Sequence, residues 1–335
     1  MIESSAPARI DFAGGTLDIW PLYLFFGLPP TLNAAIDCYA TVQLTPDPSS
    51  KAITLESRDL GIREQFSSCN ALPEGKHPLS LLIKTVQFYQ PKEGGTLVTS
   101  CQAPPGSGIG GSSALNIALH GALNTWTGRK MTRQTLLKVA KNIETQVIEV
   151  PTGWQDYFPA LYGGALAVLP GLESVGYSRI PLDLNEMTRR FVLCYTGAPR
   201  RSAINNWEVT KDALDGKKSV VRKLTALQNI AKRMEPILRA EKWDALAEML
   251  KEEWEARKAL APNIATLEMK NLIKHAKSKG AWVAKVCGAG GGGCVAFMVP
   301  PDLKTAVSDE LQARGGTVLP FRFVKRGLQI KHDRR

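Results

Sequence analysis

The spacing of hydrophobic positions changes character along this chain. Its first third carries short apolar runs between glycine-bearing turns. Residues 40–44 (ATVQL) and 96–101 (TLVTSC) have the β-branched content of strands. From 112 to 126 the period becomes helical, with Leu115, Ala118, Leu119, Ala122 and Trp126 on one face. Ser112 or Ser113 is placed to cap its start. A second helix is expected over 132–150, with Leu136, Ala140, Ile143 and Val147 inward and Pro151 closing it. Residues 191–195 (FVLCY) read as a buried strand, and charged helices follow over 203–234, 240–260 and 266–279. Residues 282–286 and 294–299 (CVAFMV) read as strands flanking the run 288–293 (GAGGGG). Strand-rich sequence gives way to charged helices near 185–190, which divides the chain into 1–187 and 188–335.

Length and composition narrow the class. At 335 residues, a prior of about 150 residues per domain gives two domains. With 44% hydrophobic and 22% charged residues, the chain buries a core without a disulfide or metal staple. The six cysteines form no C-x-x-C pair, so zinc and redox chemistry are not indicated and a reduced, cytoplasmic compartment is expected. No apolar run approaches the ~18–20 residues of a membrane span, and residues 1–11 lack a signal-peptide layout. Many of the basic residues behind the net charge of +11 lie on 217–260 and 325–335, and they do not alternate with aromatics in a single tract. That pattern suits a solvated face and a field for phosphorylated small molecules better than nucleic acid.

The strongest chemical signal is 104–114 (PPGSGIGGSSA), between a strand and an amphipathic helix. Pro105, Gly106, Ser107, Gly108, Gly110 and Gly111 would let backbone N–H groups converge on an anion. The helix start adds partial positive charge, and the Ser112 and Ser113 hydroxyls reach toward a phosphate or its magnesium. Gly106, Gly108 and Gly111 formally satisfy G-x-G-x-x-G, yet no acidic residue follows at the spacing a dinucleotide site needs. No Walker A loop or protein-kinase H-R-D and D-F-G set is present. A second segment, 8–18, sets Arg9 and a Gly14-Gly15 turn ahead of Asp18, which suits sugar hydroxyls and a phosphate charge. The third, 288–293, allows close backbone approach to a ligand. Glu144 and Asp156 supply two carboxylates, one for magnesium and one beside an attacking hydroxyl. Taken alone, each would read as a helix or turn residue.

In order, the three glycine segments resemble those of the GHMP kinases, named for galactokinase, homoserine kinase, mevalonate kinase and phosphomevalonate kinase. The resemblance covers almost the whole chain. It is nearest to the heptose 7-phosphate kinase and fucokinase-like branch, through Phe12 to Gly15 with Asp18, Gln155-Asp156 with Gly163-Gly164, and Tyr195-Thr196-Gly197 with Arg200. Trp254 and Lys258 are also similar. It implies an α+β fold, with an N-terminal domain like ribosomal protein S5 domain 2 and a ferredoxin-like C-terminal domain. It also implies ATP-dependent phosphorylation of a sugar or sugar-phosphate hydroxyl, with ATP and Mg2+, by a monomer or homodimer. Asp156 would then be the base and Arg9 its partner. Residues 106–113 would cradle ATP, while Ser112 and Glu144 hold magnesium. Asp18 and Gly15, residues 288–291 (Gly288, Ala289, Gly290, Gly291) and Arg200 would face the acceptor. Gly111, Leu17 and Tyr157 depart from the family's usual serine, glycine and glutamine. A mevalonate-pathway kinase and a non-catalytic nucleotide-binding protein are the alternatives.

Overall fold

The computed structural model describes residues 1–199 and 203–333. The chain opens with β1 (Ile2–Ala13), the short α1 (Leu22–Phe25) and the long β2 (Thr31–Asp47). Next come β3 (Ile53–Ser57), β4 (Ile62–Phe66), α2 (Ser80–Tyr89) and β5 (Gly94–Cys101). Three helices, α3 (Gly111–Thr127), α4 (Arg133–Ile148) and α5 (Tyr157–Tyr162), precede β6 (Ala165–Pro170) and β7 (Val175–Arg179). Then α6 (Leu184–Arg189) leads into β8 (Phe191–Tyr195). The helices α7 (Ala203–Leu214), α8 (Lys218–Arg239), α9 (Trp243–Lys258) and α10 (Leu267–Ser278) follow. The chain closes with β9 (Val283–Val286), β10 (Cys294–Met298), α11 (Lys304–Ala313), β11 (Thr317–Leu319) and β12 (Gln329–His332).

One sheet runs β12-β1-β2-β5-β3-β4, and β2 also carries β6, which pairs with β7. β2 is long enough for both duties: residues 31–34 pair with β6 and 40–47 with β5. Only the β3–β5 pair is parallel. The second sheet, β11-β8-β10-β9, is antiparallel throughout. Ile10 and Phe12 of β1 share a core with Phe191 of β8, Met298 of β10 and Met234 of α8, so the sheets close on one another. The Phe12 and Phe191 rings lie 5.8 Å apart. Deep in the first sheet's own core, α3 is buried nearly all round over 113–123.

Two local expectations are corrected. The helix expected over 203–234 is two helices, because Gly216, at φ 71°, takes the left-handed turn that closes α7. Ser112 and Ser113 do not cap α3; Gly110 does, at φ 80°, and both serines sit in the first turn. A division at 187/188 falls inside α6, and β12 returns to pair with β1 in the first sheet.

Candidate active site

Strand alternation on β1 sends Ile10 and Phe12 into the shared core and turns Arg9 and Asp11 the other way. Arg9 is 1% exposed. Its Nε and Nη2 lie 2.7 and 2.6 Å from Asp156 Oδ1. Its Nη1 donates to Gly108 O at 2.8 Å and to Asp11 Oδ1 at 3.1 Å. Burial alone would lower the guanidinium pKa, but the carboxylates of Asp156 and Asp11 prevail and raise it. Asp11 also accepts from Lys285 Nζ at 2.5 Å and from Gly288 N at 2.9 Å. Burial pushes its carboxyl up, yet Lys285 and then Arg9 hold it well below the usual range.

The glycine loop before α3 is tied down by its carbonyls. Ser107 O accepts from Cys294 N at 2.7 Å, and Ile109 O from Arg9 N at 2.8 Å. With Gly108 O taken by the Arg9 side chain, the loop's oxygens are engaged from beneath. Gly106, Gly108 and Gly110 alternate at φ 68°, 79° and 80°, the backbone pattern that gathers N–H groups into an anion-binding concavity. A Cβ on Gly110 would stand 3.3 Å from Asp156 Cγ, so glycine lets loop and carboxylate meet.

Glu144 lies on α4, 6% exposed. Its Oε2 accepts from Ser113 Oγ at 2.9 Å and Tyr157 OH at 2.8 Å. Burial raises its pKa against the pull of Tyr157, Ser112 and Ser113. Tyr157 thus holds this carboxylate from behind. Both direct donors fall on one oxygen, and the exposed Ser112 hydroxyl stands at the same cleft. One carboxylate and a serine fit a magnesium ion that arrives on a nucleotide and brings most of its own ligands. Among the described residues no group of three or more His, Cys, Asp or Glu forms a metal cage.

Asp18 is 1% exposed and grips the backbone just ahead of Asp156. Its Oδ2 accepts from Trp154 N at 2.6 Å and Gln155 N at 2.8 Å, while Oδ1 is buried without a partner among the described residues. Burial pushes its pKa up to about 6, against the pull of the Gln155 N–H. Asn33 Nδ2 holds Gln155 O at 3.0 Å, so the turn that presents Asp156 is clamped from both sides.

Arg9, Asp18, Glu144 and Asp156 line one cleft of about 530 Å³, with Gly106, Ser112, Ser113, Gly288 and Ala289. Pro105, Ser107, Gly108, Gly110 and Gly111 line an adjoining pocket of about 310 Å³, which shares Gly106, Ser112, Ser113, Glu144 and Asp156 with the cleft. Its far wall is apolar: Leu60, Pro78, Leu79, Leu82 and Leu115. Gly15 lies behind the cleft, its carbonyl bound by Arg257 at 3.2 Å. Gly290 packs on Ile264, and Gly291 N donates to Ile264 O, away from the lining. Arg200 lies outside the described residues. Thr16 and Asn206 line the cleft without having been singled out, and Gln155, which entered only among the residues that carry the family resemblance, lines it too. Thr16 carries the one available signal, a polar residue in a glycine turn; its φ is 75° and its Oγ1 donates to Asn206 Oδ1 at 3.2 Å. Asp11, Glu253, Arg257 and Lys285, buried behind Arg9, were also missed.

A two-sheet α+β molecule with a phosphate-type loop facing a carboxylate–arginine pair has the build of a small-molecule kinase. The pattern of the GHMP kinases N-terminal domain matches residues 80–164, and that of the GHMP kinases C-terminal domain matches 234–317. Together they take in half of the chain, which belongs to the GHMP kinase family of ATP-dependent small-molecule kinases. Over 98% of both sequences it is 29% identical to the D-glycero-alpha-D-manno-heptose 7-phosphate kinase of Campylobacter jejuni. It is 24% identical to a mevalonate kinase of Thermococcus sibiricus, again over 98% of each. Its fold matches the crystal structure of a D-glycero-D-manno-heptose 1-phosphate kinase from Bacteroides thetaiotaomicron with a TM-score of 0.81, over 100% of both chains at 22% identity. The two-domain GHMP kinase fold expected from the motifs is the fold found. Among the described residues no helix is long and apolar enough to cross a membrane.

Proposed function

We propose that this kinase phosphorylates a hydroxyl, the anomeric one, of a sugar or sugar phosphate, with Asp156 as the base. The Arg9–Asp156 pair carries the reading. Both guanidinium contacts fall on Oδ1, which leaves Oδ2 to accept a proton from an alcohol in the cleft. A sugar acceptor is supported by the heptose 7-phosphate kinase relative. It is supported as well by the buried Asp18 Oδ1 and Gln155 Oε1, which have no hydrogen-bond partner among the described residues. Buried acceptors of this kind are satisfied by hydroxyl donors.

In this reading the ATP phosphates would lie over 106–113 and the adenine ring against Leu60, Leu79 and Leu82. Ser112 and Glu144 would hold magnesium. That ion supplies neutralisation of the β and γ phosphates as charge develops. Arg9 fixes the base and offsets phosphate charge, while Gly288 and Ala289 wall the cleft near the transferring group. The hydroxyl proton passes to Asp156 Oδ2 as the oxygen attacks the γ phosphorus of ATP, and the bond from that phosphorus to the bridging oxygen breaks, so that ADP leaves with the electron pair. Catalysis then rests on positioning and fixed charge rather than covalent chemistry.

The test is ADP release from Mg-ATP with heptose 7-phosphate, fucose, galactose, glucuronate, mannose and mevalonate, followed by 31P NMR of the product. Turnover of one sugar with phosphate on C1 is expected. Turnover of mevalonate alone would replace the sugar with an isoprenoid acceptor, and silence with Mg-ATP still bound would contradict the catalytic reading.

A further inference from the structure

Behind Arg9 the buried charges continue in an unbroken line. From Asp156 the contacts pass through Arg9 to Asp11, then to Lys285, Glu253 and Arg257. Lys285 Nζ stands 3.7 Å from Glu253 Oε2, and Arg257 holds Glu253 Oε1 through Nε at 2.7 Å and Nη2 at 2.6 Å. Arg9, Asp11, Glu253, Arg257 and Lys285 are each 3% exposed or less, whereas Asp156 is 22% exposed. Three cations alternate with three carboxylates, so the line is electrically closed. It draws on β1, β9 and α9, and its one open end is the proposed base. Asp11 also accepts from Gly288 N, which fixes the glycine wall of the cleft to the same carboxylate that holds Arg9.

We propose that Asp11, Lys285, Glu253 and Arg257 are positioning residues for the Arg9–Asp156 pair, and that charge changed at the far end of their line is felt at its open end. This rests on the reading of Asp156 as the base. Little of the line's field is lost to water, because every intermediate group is buried and a low local dielectric lengthens the reach of a charge. The other titratable groups facing it are Cys287, Cys294, Asp18, Glu144 and Tyr157, and burial holds the Cys294 thiol and the Tyr157 hydroxyl well above their usual values, so neither adds charge. Burial pushes the Cys287 thiol up to about 12, so it adds no charge. Asp18 faces Arg257 and Asp156, and Glu144 faces Asp156; all the variants below leave both in place.

Two single variants change the line's charge in opposite senses without touching the cleft. Glu253→Gln leaves it one unit positive, and Lys285→Met one unit negative. ADP release from Mg-ATP is followed against pH with D-glycero-D-manno-heptose 7-phosphate, and with water as acceptor where the sugar is not turned over. The acid limb of kcat/KM is expected to move by on the order of one pH unit, downward in Glu253→Gln and upward in Lys285→Met. In both, kcat falls while KM for Mg-ATP changes little. The charge-balanced double variant is expected to return the limb to its parental position. Limbs that stay put, or that move the same way in both, would overturn the proposal. Where a single variant does not fold, the double variant carries the test, and a displaced limb in it counts against the proposal. Asp156→Asn separates the two readings. If it keeps turnover, the base is misassigned. If it abolishes turnover while the limbs ignore the distal charges, only the line fails.

Discussion

Asp18 sits 1% exposed with one oxygen bound to two backbone N–H groups and the other bare. Its carboxyl is pushed up to about 6, from an unfolded value near 4. Between those values the folded state holds the proton more tightly, so stability falls as pH rises through that window, and the penalty is complete above pH 6. Asp18→Asn removes the titration. Its stability relative to the parent should therefore be greater at pH 8 than at pH 4 by about 2–3 kcal/mol, read by denaturant unfolding at both values. The same variant should weaken the acceptor, raising its KM. A cleft residue that lowers stability at working pH is expected of a binding group.

Arg9 stands in the first glycine segment, whereas Asp156 was singled out only as one of two carboxylates and through the family resemblance; both line the cleft. Glu253 and Arg257 were not singled out. Four residues apart on a charged helix, they have the spacing of a solvated surface pair, and only the packing of α9 against β9 shows them buried at 0% and 2% exposure. Lys285 was hidden in the same way, as one polar residue in an apolar strand. Lys258, which the family resemblance singled out, pairs instead with Glu255 on the surface.

Among the elements, the loop leading into α3 concentrates the most constraint. Gly110 is at once the helix cap, a left-handed residue and a position where a Cβ would stand 3.3 Å from Asp156 Cγ. Gly110→Ala should lower stability by about 1–2 kcal/mol for its backbone conformation. It should also cut kcat/KM for Mg-ATP by roughly ten- to a hundredfold, since the added methyl displaces loop or base. Thermal unfolding and steady-state kinetics check the two parts. The glycine run announced this loop in the sequence. The cap did not follow local preference: two serines at a helix start suggest capping, yet Ser113 is drawn to Glu144 on α4, a tertiary partner that no local rule contains. Asp215-Gly216 marked the end of α7 in plain view, but the unbroken charge pattern on either side masked it.

At the scale of the molecule, the first and last segments meet. β12 pairs with β1 over Ile2–Ser5, and Leu328 and Ile330 press on Gly121 of α3. Removing residues 328–335 should lower stability by on the order of 1–2 kcal/mol, the worth of a partly buried leucine side chain and the strand pairings lost with it, with turnover at 25 °C retained. Calorimetry of the truncated chain checks this. The return of β12 to the first sheet could not be read from its short, polar sequence, where the basic tail suggested a solvated end. By contrast, the α+β class was available through the family resemblance that the three ordered glycine segments carry. The sheets close around Arg9 and Asp156, and the account turns on that pair. Its most direct test compares Asp156→Asn with the parent in two measurements on the same protein, the affinity for Mg-ATP by calorimetry and the turnover of the sugar acceptor. The account predicts Mg-ATP affinity within about twofold and kcat lowered by roughly 10²–10⁴-fold. Retained turnover, or an equal loss of both, would contradict it.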